Sequence, residues 1–278
     1  MNGKILQWAI ILFVILLGLQ SAPAKLIPPH HLNQLKAIAE QGNADSQYDL
    51  GLIYALGKKV PQDYQKAALW FRKAAEQGHA HAQSNLGYLY LRGEGVSQDY
   101  TKAVTWFRKA AEQGNAHAQF NLGDIYRKGE GVPQNFKKAV LWFRKAAEQG
   151  NIHAQFNLGC MCQKGEGVAD NFKEAAMWYR EAAEHGHGGA QNNLGVMYHT
   201  GKGVSQDFKE AIKWYQKAAE QGHYDAQNNL GVMYHIGEGV SQNYKEAAKW
   251  YKKAMKNGDE DSKRNLEILC KESPLSCR

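Results

Sequence analysis

The stretch AHAQFNLGDIYRKGEGVPQNFKKAVLWFRKAAEQGN, from Ala116 to Asn151, decides the fold, because most of the chain is a variation on it. Gly51, Gly87, Gly123, Gly159, Gly195 and Gly231 fall 36 residues apart, and so do Trp70, Trp106, Trp142, Trp178, Trp214 and Trp250. Nothing between Asn43 and Asp259 breaks that register. A fixed period of this size marks a solenoid, whose units bury their apolar faces against one another.

The unit divides into two predicted helices. Helix A runs from Ala116 to Lys128, after Asn115. The residues matching Asn115 are Asn43, His79, Asn151, His187, His223 and Asp259. Asn and Asp there accept first-turn N–H groups well, and histidine does so less well. Gly129 ends the helix in a left-handed conformation that suits glycine. Helix B follows Asn135, matched by Asp63, Asp99, Asn171, Asp207 and Asn243. Three residues on, Lys66, Lys102 and Lys138 give way to Glu174, Glu210 and Glu246, which predicts a capping box in the later units. Connections this short force an antiparallel hairpin. Ala139 and Ala146 recur in every copy of helix B, as Gly123 does in helix A. A glycine inside a helix costs about 1 kcal/mol against alanine, so its repetition predicts a close approach of glycine to alanine. The tryptophans and the Phe or Tyr after each are expected in the seams between units. Stacking of nucleic-acid bases would need them exposed beside a basic groove.

The pattern A-x-A-Q-x-N-L-G-x-x-Y…G-x-G-V…D-Y/F-x-K-A…W-F/Y-x-K-A-A-E-Q-G resembles the Sel-one-like repeat (SLR) family, a relative of the tetratricopeptide repeats. The resemblance covers about 44 to 259 in six gapless copies, with half-repeats at Asn33–Gly42 and Asp261–Leu269. It implies an all-α fold: a right-handed α-solenoid superhelix of antiparallel helix pairs, with a concave groove. It also implies an adaptor that binds other proteins in envelope signalling, secretion or host-cell contact. The expected units are repeats at 44–79, 80–115, 116–151, 152–187, 188–223 and 224–259, with a linker and capping helix at 25–43 and a capping helix and tail at 260–278.

Residues 1–24 read as a signal peptide. Lys4 precedes an apolar run from Ile5 to Leu19, and Ala22-Pro23-Ala24 offers small residues for cleavage after Ala24. The run is short for a span of about 20 residues. Export to the periplasm or beyond is expected, with no stable membrane span after cleavage, and Lys25 to His31 is read as a linker. An uncleaved N-terminal anchor is the alternative. In an oxidising compartment, Cys270 and Cys277 are expected to form a disulfide that staples the tail. Cys160 and Cys162 stand two apart on a predicted helix and point to different sides.

Net charge is +7, yet Lys and Arg recur at set places in each unit, which describes a solvated basic face. Nucleic acid is not an expected partner. Positions that vary within the constant frame are free to serve a ligand. Four such positions lie on one face of helix A, spaced i, i+4, i+7, i+8. The first reads Tyr48, Ser84, Phe120, Phe156, Asn192, Asn228. The second reads Leu52, Tyr88, Asp124, Cys160, Val196, Val232. The third reads Ala55, Leu91, Arg127, Gln163, His199, His235. The fourth reads Leu56, Arg92, Lys128, Lys164, Thr200, Ile236. Beside them stand Asn85, Asn121, Asn157, Asn193, Asn229 and Asn265, with Asp49 in the first unit. An amide donates and accepts, so these asparagines either hold an extended peptide backbone or bond the neighbouring repeat. Gln83 and its copies are read as structural bridges. This face is expected to line the groove, with Arg92, Asp124, Arg127, Lys128 and Lys164 beside Tyr88, Phe120 and Phe156 holding an acidic or carboxylate-ended segment. The chain is expected to act as a monomer.

Eleven histidines recur because the repeat recurs, and no metal or cofactor is expected. GEGV lacks the Gly-Lys-Ser/Thr of a phosphate loop. No nucleophile stands out beside a base, and no enzyme is expected. The resemblance does carry one enzymatic rival, since cysteine-rich members of the family are linked to β-lactam binding and hydrolysis. Those chains resemble repeats with a regular cysteine pair, which this chain lacks.

Overall fold

The computed structural model describes residues 29–57 and 60–277. The expected leader and its cleavage point lie outside them. The described residues form fourteen α-helices and no strand. After α1 (Pro29–Glu40) come six pairs of A and B helices: α2 (Ala44–Leu56) with α3 (Tyr64–Glu76), α4 (Ala80–Arg92) with α5 (Tyr100–Glu112), α6 (Ala116–Lys128) with α7 (Phe136–Glu148), α8 (Ile152–Lys164) with α9 (Phe172–Glu184), α10 (Gly188–Thr200) with α11 (Phe208–Glu220), and α12 (Tyr224–Ile236) with α13 (Tyr244–Lys256). The A-type helix α14 (Glu260–Glu272) and a short 3-10 turn (Pro274–Cys277) end the array. Each helix packs on the one before and after it, which makes an all-α solenoid of antiparallel pairs. No described helix is long and apolar enough to cross a membrane.

Local chemistry sets these boundaries. Asn115 caps α6, accepting from the Ala118 N–H at 2.9 Å, and Gly129 ends it at φ 77°. His79 and His187 cap through Nδ1, at 3.1 and 3.2 Å, whereas His223 makes no such bond. α1 begins inside the stretch expected as linker, because proline fits the first turn of a helix, where its missing N–H has no partner to lose.

Three expectations need correction. The capping box forms only by half. Asn171 accepts from the Glu174 N–H at 3.1 Å, but its own N–H already donates to the Cys162 carbonyl at 2.9 Å. The same bond links Asp207 to Tyr198 and Asn243 to Tyr234. The glutamates turn elsewhere, Glu210 to Lys213 at 3.0 Å and Glu246 to Lys249 at 3.2 Å.

Second, glycine meets a ring and not alanine. A Cβ on Gly123 would lie 2.8 Å from Cδ1 of Phe143, and the other helix-A glycines face Phe71, Phe107, Tyr179, Tyr215 and Tyr251 in the same way. Those six rings are the largest fully buried side chains of the core. Third, the tryptophans are not uniformly core. Trp178, Trp214 and Trp250 are buried, but Trp70, Trp106 and Trp142 are half-buried under Lys73, Lys109 and Lys145, whose ammonium groups lie 4.3–4.7 Å from the rings.

Two recurrent bonds stiffen the stack. Gln119 donates to the Ala111 carbonyl at 3.0 Å and accepts from Gln149 at 2.7 Å, which ties α5, α6 and α7 together. Gln47, Gln83 and Gln191 repeat this, and Gln227 does so with Asn257. Arg72, Arg108 and Arg180 reach forward to the hydroxyls of Tyr90, Tyr126 and Tyr198 at 2.6–3.1 Å. The fourth repeat breaks both rules. Cys162 stands where the tyrosine belongs, so Arg144 pairs with Glu174 at 2.6 Å. His185 stands where the second glutamine belongs, so the buried Oε1 of Gln155 has no protein donor.

Candidate functional site

The A helices lie side by side, and their variable positions form one face. Its first row closes the seams between repeats. Tyr48 stacks on His79 with centroids 4.6 Å apart, and Phe156 stacks on His187 at 4.3 Å. Phe120 tilts against Phe143 and His153 at 5.8 and 6.0 Å. Each ring is half-buried.

The middle of the face carries charge, but that charge is engaged. Asp124 bonds Arg127 at 2.6 Å and Lys128 at 2.7 Å, from the same helix. Glu130 lies 3.9 Å from Lys128, and Arg92 lies 3.8 Å from Glu94. Asp124 thus engages both Arg127 and Lys128, because a carboxylate at i reaches partners at i+3 and i+4 on one helix face. A shallow depression of about 200 Å³ lies here, lined by Arg92, Tyr100, Asn121, Asp124, Lys128 and Glu130 among others. Tyr88 and Asn157 are half-buried nearby, and Lys164 is exposed.

Farther along, the histidines bridge repeats. His199 Nε2 lies 2.8 Å from Glu238, and His235 Nε2 lies 2.8 Å from Glu272. Both rings are held by the next unit. The glutamates were not singled out from sequence, although Glu238 is the acidic residue of a GEGV turn, a constant letter that hid its role. The asparagine row joins side chain to side chain. Asn229 donates to Asn192 at 3.2 Å, and Asn265 donates to Asn228 at 2.9 Å. Asn85 lies beside Tyr48, and Asn193 beside Tyr179. Neighbouring side chains, and not the neighbouring backbone, are the partners in the last repeats.

The thiols are poor nucleophiles. Burial, then the nearby Glu174 carboxylate, pushes Cys162 up to about 11, and burial also raises Cys160. Both therefore carry their proton at neutral pH, where a reactive cysteine needs a depressed value. The Tyr179 hydroxyl, raised by burial, donates to Gln163 at 2.7 Å. Cys270 and Cys277 are joined in a disulfide with Cα atoms 5.6 Å apart, which ties the terminal turn to α14. Among the described residues no three His, Cys, Asp or Glu groups are placed to hold a metal ion.

The model for the Sel1 repeat matches residues 44–79, 80–115, 116–151, 152–187, 189–223 and 225–259. Among solved structures, a protective antigen of uropathogenic Escherichia coli displaying an SLR fold is 39% identical, with a TM-score of 0.83 over 88% of this chain. The chain spans about half of that antigen, 52% of its length. A Sel1 repeat protein from Oxalobacter formigenes is 35% identical, with a TM-score of 0.70 over 81% of this chain and 90% of its own. No curated protein matches the chain.

Proposed function

Because the chain belongs to the Sel1 repeat family, whose members are generally protein-interaction scaffolds and typically not enzymes, we propose that it captures an extended segment of another protein along the face made by its A helices. One observation carries this reading. The constant side chains are engaged inside the fold, as glycine against ring and glutamine against carbonyl, while the residues that vary gather on one face of the A helices, mostly half-buried and exposed at Arg92, Lys128, Lys164, Thr200 and Ile236. A long surface of mixed polar and apolar side chains with a shallow depression suits a peptide. Chemistry is not needed, and both free thiols are in their inactive form. The apolar N-terminal segment supports export to the periplasm or the exterior, so the partner is an envelope, secreted or host-surface protein.

Photoreactive residues at Phe120, Arg127 and His199, with Leu141 on the opposite face as control, test the reading by crosslinking and mass spectrometry in envelope extract. Leu141 is 50% exposed, so it reports encounters outside the face. The expected result is one shared partner at two or more face positions and not at Leu141. A partner captured only through Leu141 would move the site off the A face.

A further inference from the structure

The B helices of the first three repeats carry a basic surface that the A face does not use. Lys66, Leu69, Arg72 and Lys73 share the exposed side of α3, because residues three and four apart lie on one helix face. The same positions read Lys102, Thr105, Arg108 and Lys109 on α5, and Lys138, Leu141, Arg144 and Lys145 on α7. Leu69 and Leu141 stand between the cations, 51% and 50% exposed. Carboxylates answer only part of this charge. Asp63 holds Lys66 at 3.0 Å, Asp99 holds Lys102 at 3.1 Å, and Glu174 holds Arg144 at 2.6 Å. Glu76, Glu112 and Glu148 stand exposed at the C-terminal ends of the three helices. Lys73, Lys109, Lys138 and Lys145 make no ion pair among the described residues, and Arg72 and Arg108 bond tyrosine hydroxyls. The basic run ends at α9, where Glu174 and Glu181 replace the two lysines of each earlier helix. α13 is basic as well, but Lys249 stands there in the place of Leu69 and Leu141.

Charge and apolarity together identify the occupant. The cations spread in two directions, along each helix and across three consecutive repeats, so they match a field of anions better than one acidic segment. An acidic segment would also offer nothing to the exposed leucines. A bilayer of anionic phospholipid offers both, phosphates to the cations and an acyl boundary to the aliphatic tips. The tryptophans add to the match. Trp70, Trp106 and Trp142 are half-buried, and Lys73, Lys109 and Lys145 run over them, which leaves long amphipathic side chains at the surface. We propose that α3, α5 and α7 rest peripherally on an anionic phospholipid bilayer, with their lysines and arginines against the headgroup phosphates and Leu69 and Leu141 dipping between the headgroups. The surface belongs to the other helix of each pair, so the chain can sit on a membrane and still present its A helices to a protein.

The test is vesicle sedimentation with the chain from Lys25 on, which holds every described helix but not the apolar run from Ile5 to Leu19. It is expected to bind vesicles of equal parts phosphatidylglycerol and phosphatidylcholine, to leave them as sodium chloride rises, and to ignore pure phosphatidylcholine. Lys73→Gln, Lys109→Gln and Lys145→Gln together should lower the partition about tenfold or more, because each cation near an anionic surface contributes to it. Lys209→Gln, Lys245→Gln and Lys256→Gln remove the same charge from exposed sites on α11 and α13 and should lower it far less. Leu69→Ser with Leu141→Ser keeps every charge and should weaken binding about fivefold. All these side chains are exposed, so the circular dichroism spectrum is expected to stay unchanged. Equal losses in the two lysine triples would reduce the effect to net charge and overturn the proposal. So would full binding by the serine pair, or equal binding to pure phosphatidylcholine. Capture of polyglutamate in place of vesicles, with the same dependence on Lys73, Lys109 and Lys145, would make an acidic polypeptide the occupant and overturn it too. Protein crosslinks from the A face do not depend on any of these results.

Discussion

Gly123 lacks a Cβ because the ring of Phe143 fills the space, with Cδ1 only 2.8 Å and Cε1 2.9 Å from where that atom would stand. The ring is fully buried in the core, so it has little room to retreat. Gly123→Ala is expected to lower stability by about 2–3 kcal/mol through overpacking, despite alanine's better helix propensity. Urea denaturation would show it, and Phe143→Leu in the same chain should recover part of the loss. An alanine variant as stable as the parent would show that the helices separate freely.

The fourth repeat offers a stabilising change. The buried Gln155 Oε1 has no protein donor, because His185 turns Nδ1 to the Glu181 carbonyl at 2.8 Å. His185→Gln rebuilds the bond that Gln149 makes to Gln119 and should add about 1 kcal/mol. Native-state hydrogen exchange at the α8–α9 pair should slow in that variant. Unchanged exchange would mean that Gln155 is satisfied in another way.

Acid should loosen the start of α10. His187 caps it only while Nδ1 is unprotonated, and its ring is stacked on Phe156 with His153 5.5 Å away. Burial, with His153 and His223 adding to it, lowers His187 to about 4. The unfolded chain, near the ordinary value of about 6.5, binds the proton first. Stability is therefore complete above about pH 6.5 and falls as pH drops toward 4, by about 2 kcal/mol after allowance for partial exposure. His187→Asn keeps an acceptor, as Asn151 does for Ala154 at 2.9 Å, without titrating. Its stability should fall less between pH 7 and pH 4, and an equal fall would place the acid sensitivity elsewhere.

Partner capture should respond to the charged triad as a unit. Replacing Arg127 and Lys128 with alanine leaves Asp124 without its two partners. The double variant is expected to weaken capture about tenfold, or ~1.4 kcal/mol. Adding Asp124→Asn separates the causes, since recovery would show that a stray carboxylate, and not the missing cations, did the harm. Capture unchanged in all variants would remove the triad from the site.

The sequence by itself determined the period, the two-helix unit and its caps, because those depend on short-range chemistry repeated many times. Asn115, Gly129 and Asn135 act within a few residues of themselves, and their types announce it. It also separated constant from variable positions, which located the A face. Only the tertiary structure decided what each constant residue meets. Gly123 faces Phe143 and not alanine because the hairpin crossing aligns those two levels. Asn171 donates to Cys162 because the preceding helix presents a free carbonyl there, which a linear capping rule does not see. The pairing of Arg127 and Lys128 with Asp124 lies within one helix and follows from i,i+3 and i,i+4 spacing, whereas His199 and His235 read as open rings until Glu238 and Glu272 arrived from the next unit. Bonds that run from one repeat to another are written in no single copy, so packing alone could assign them.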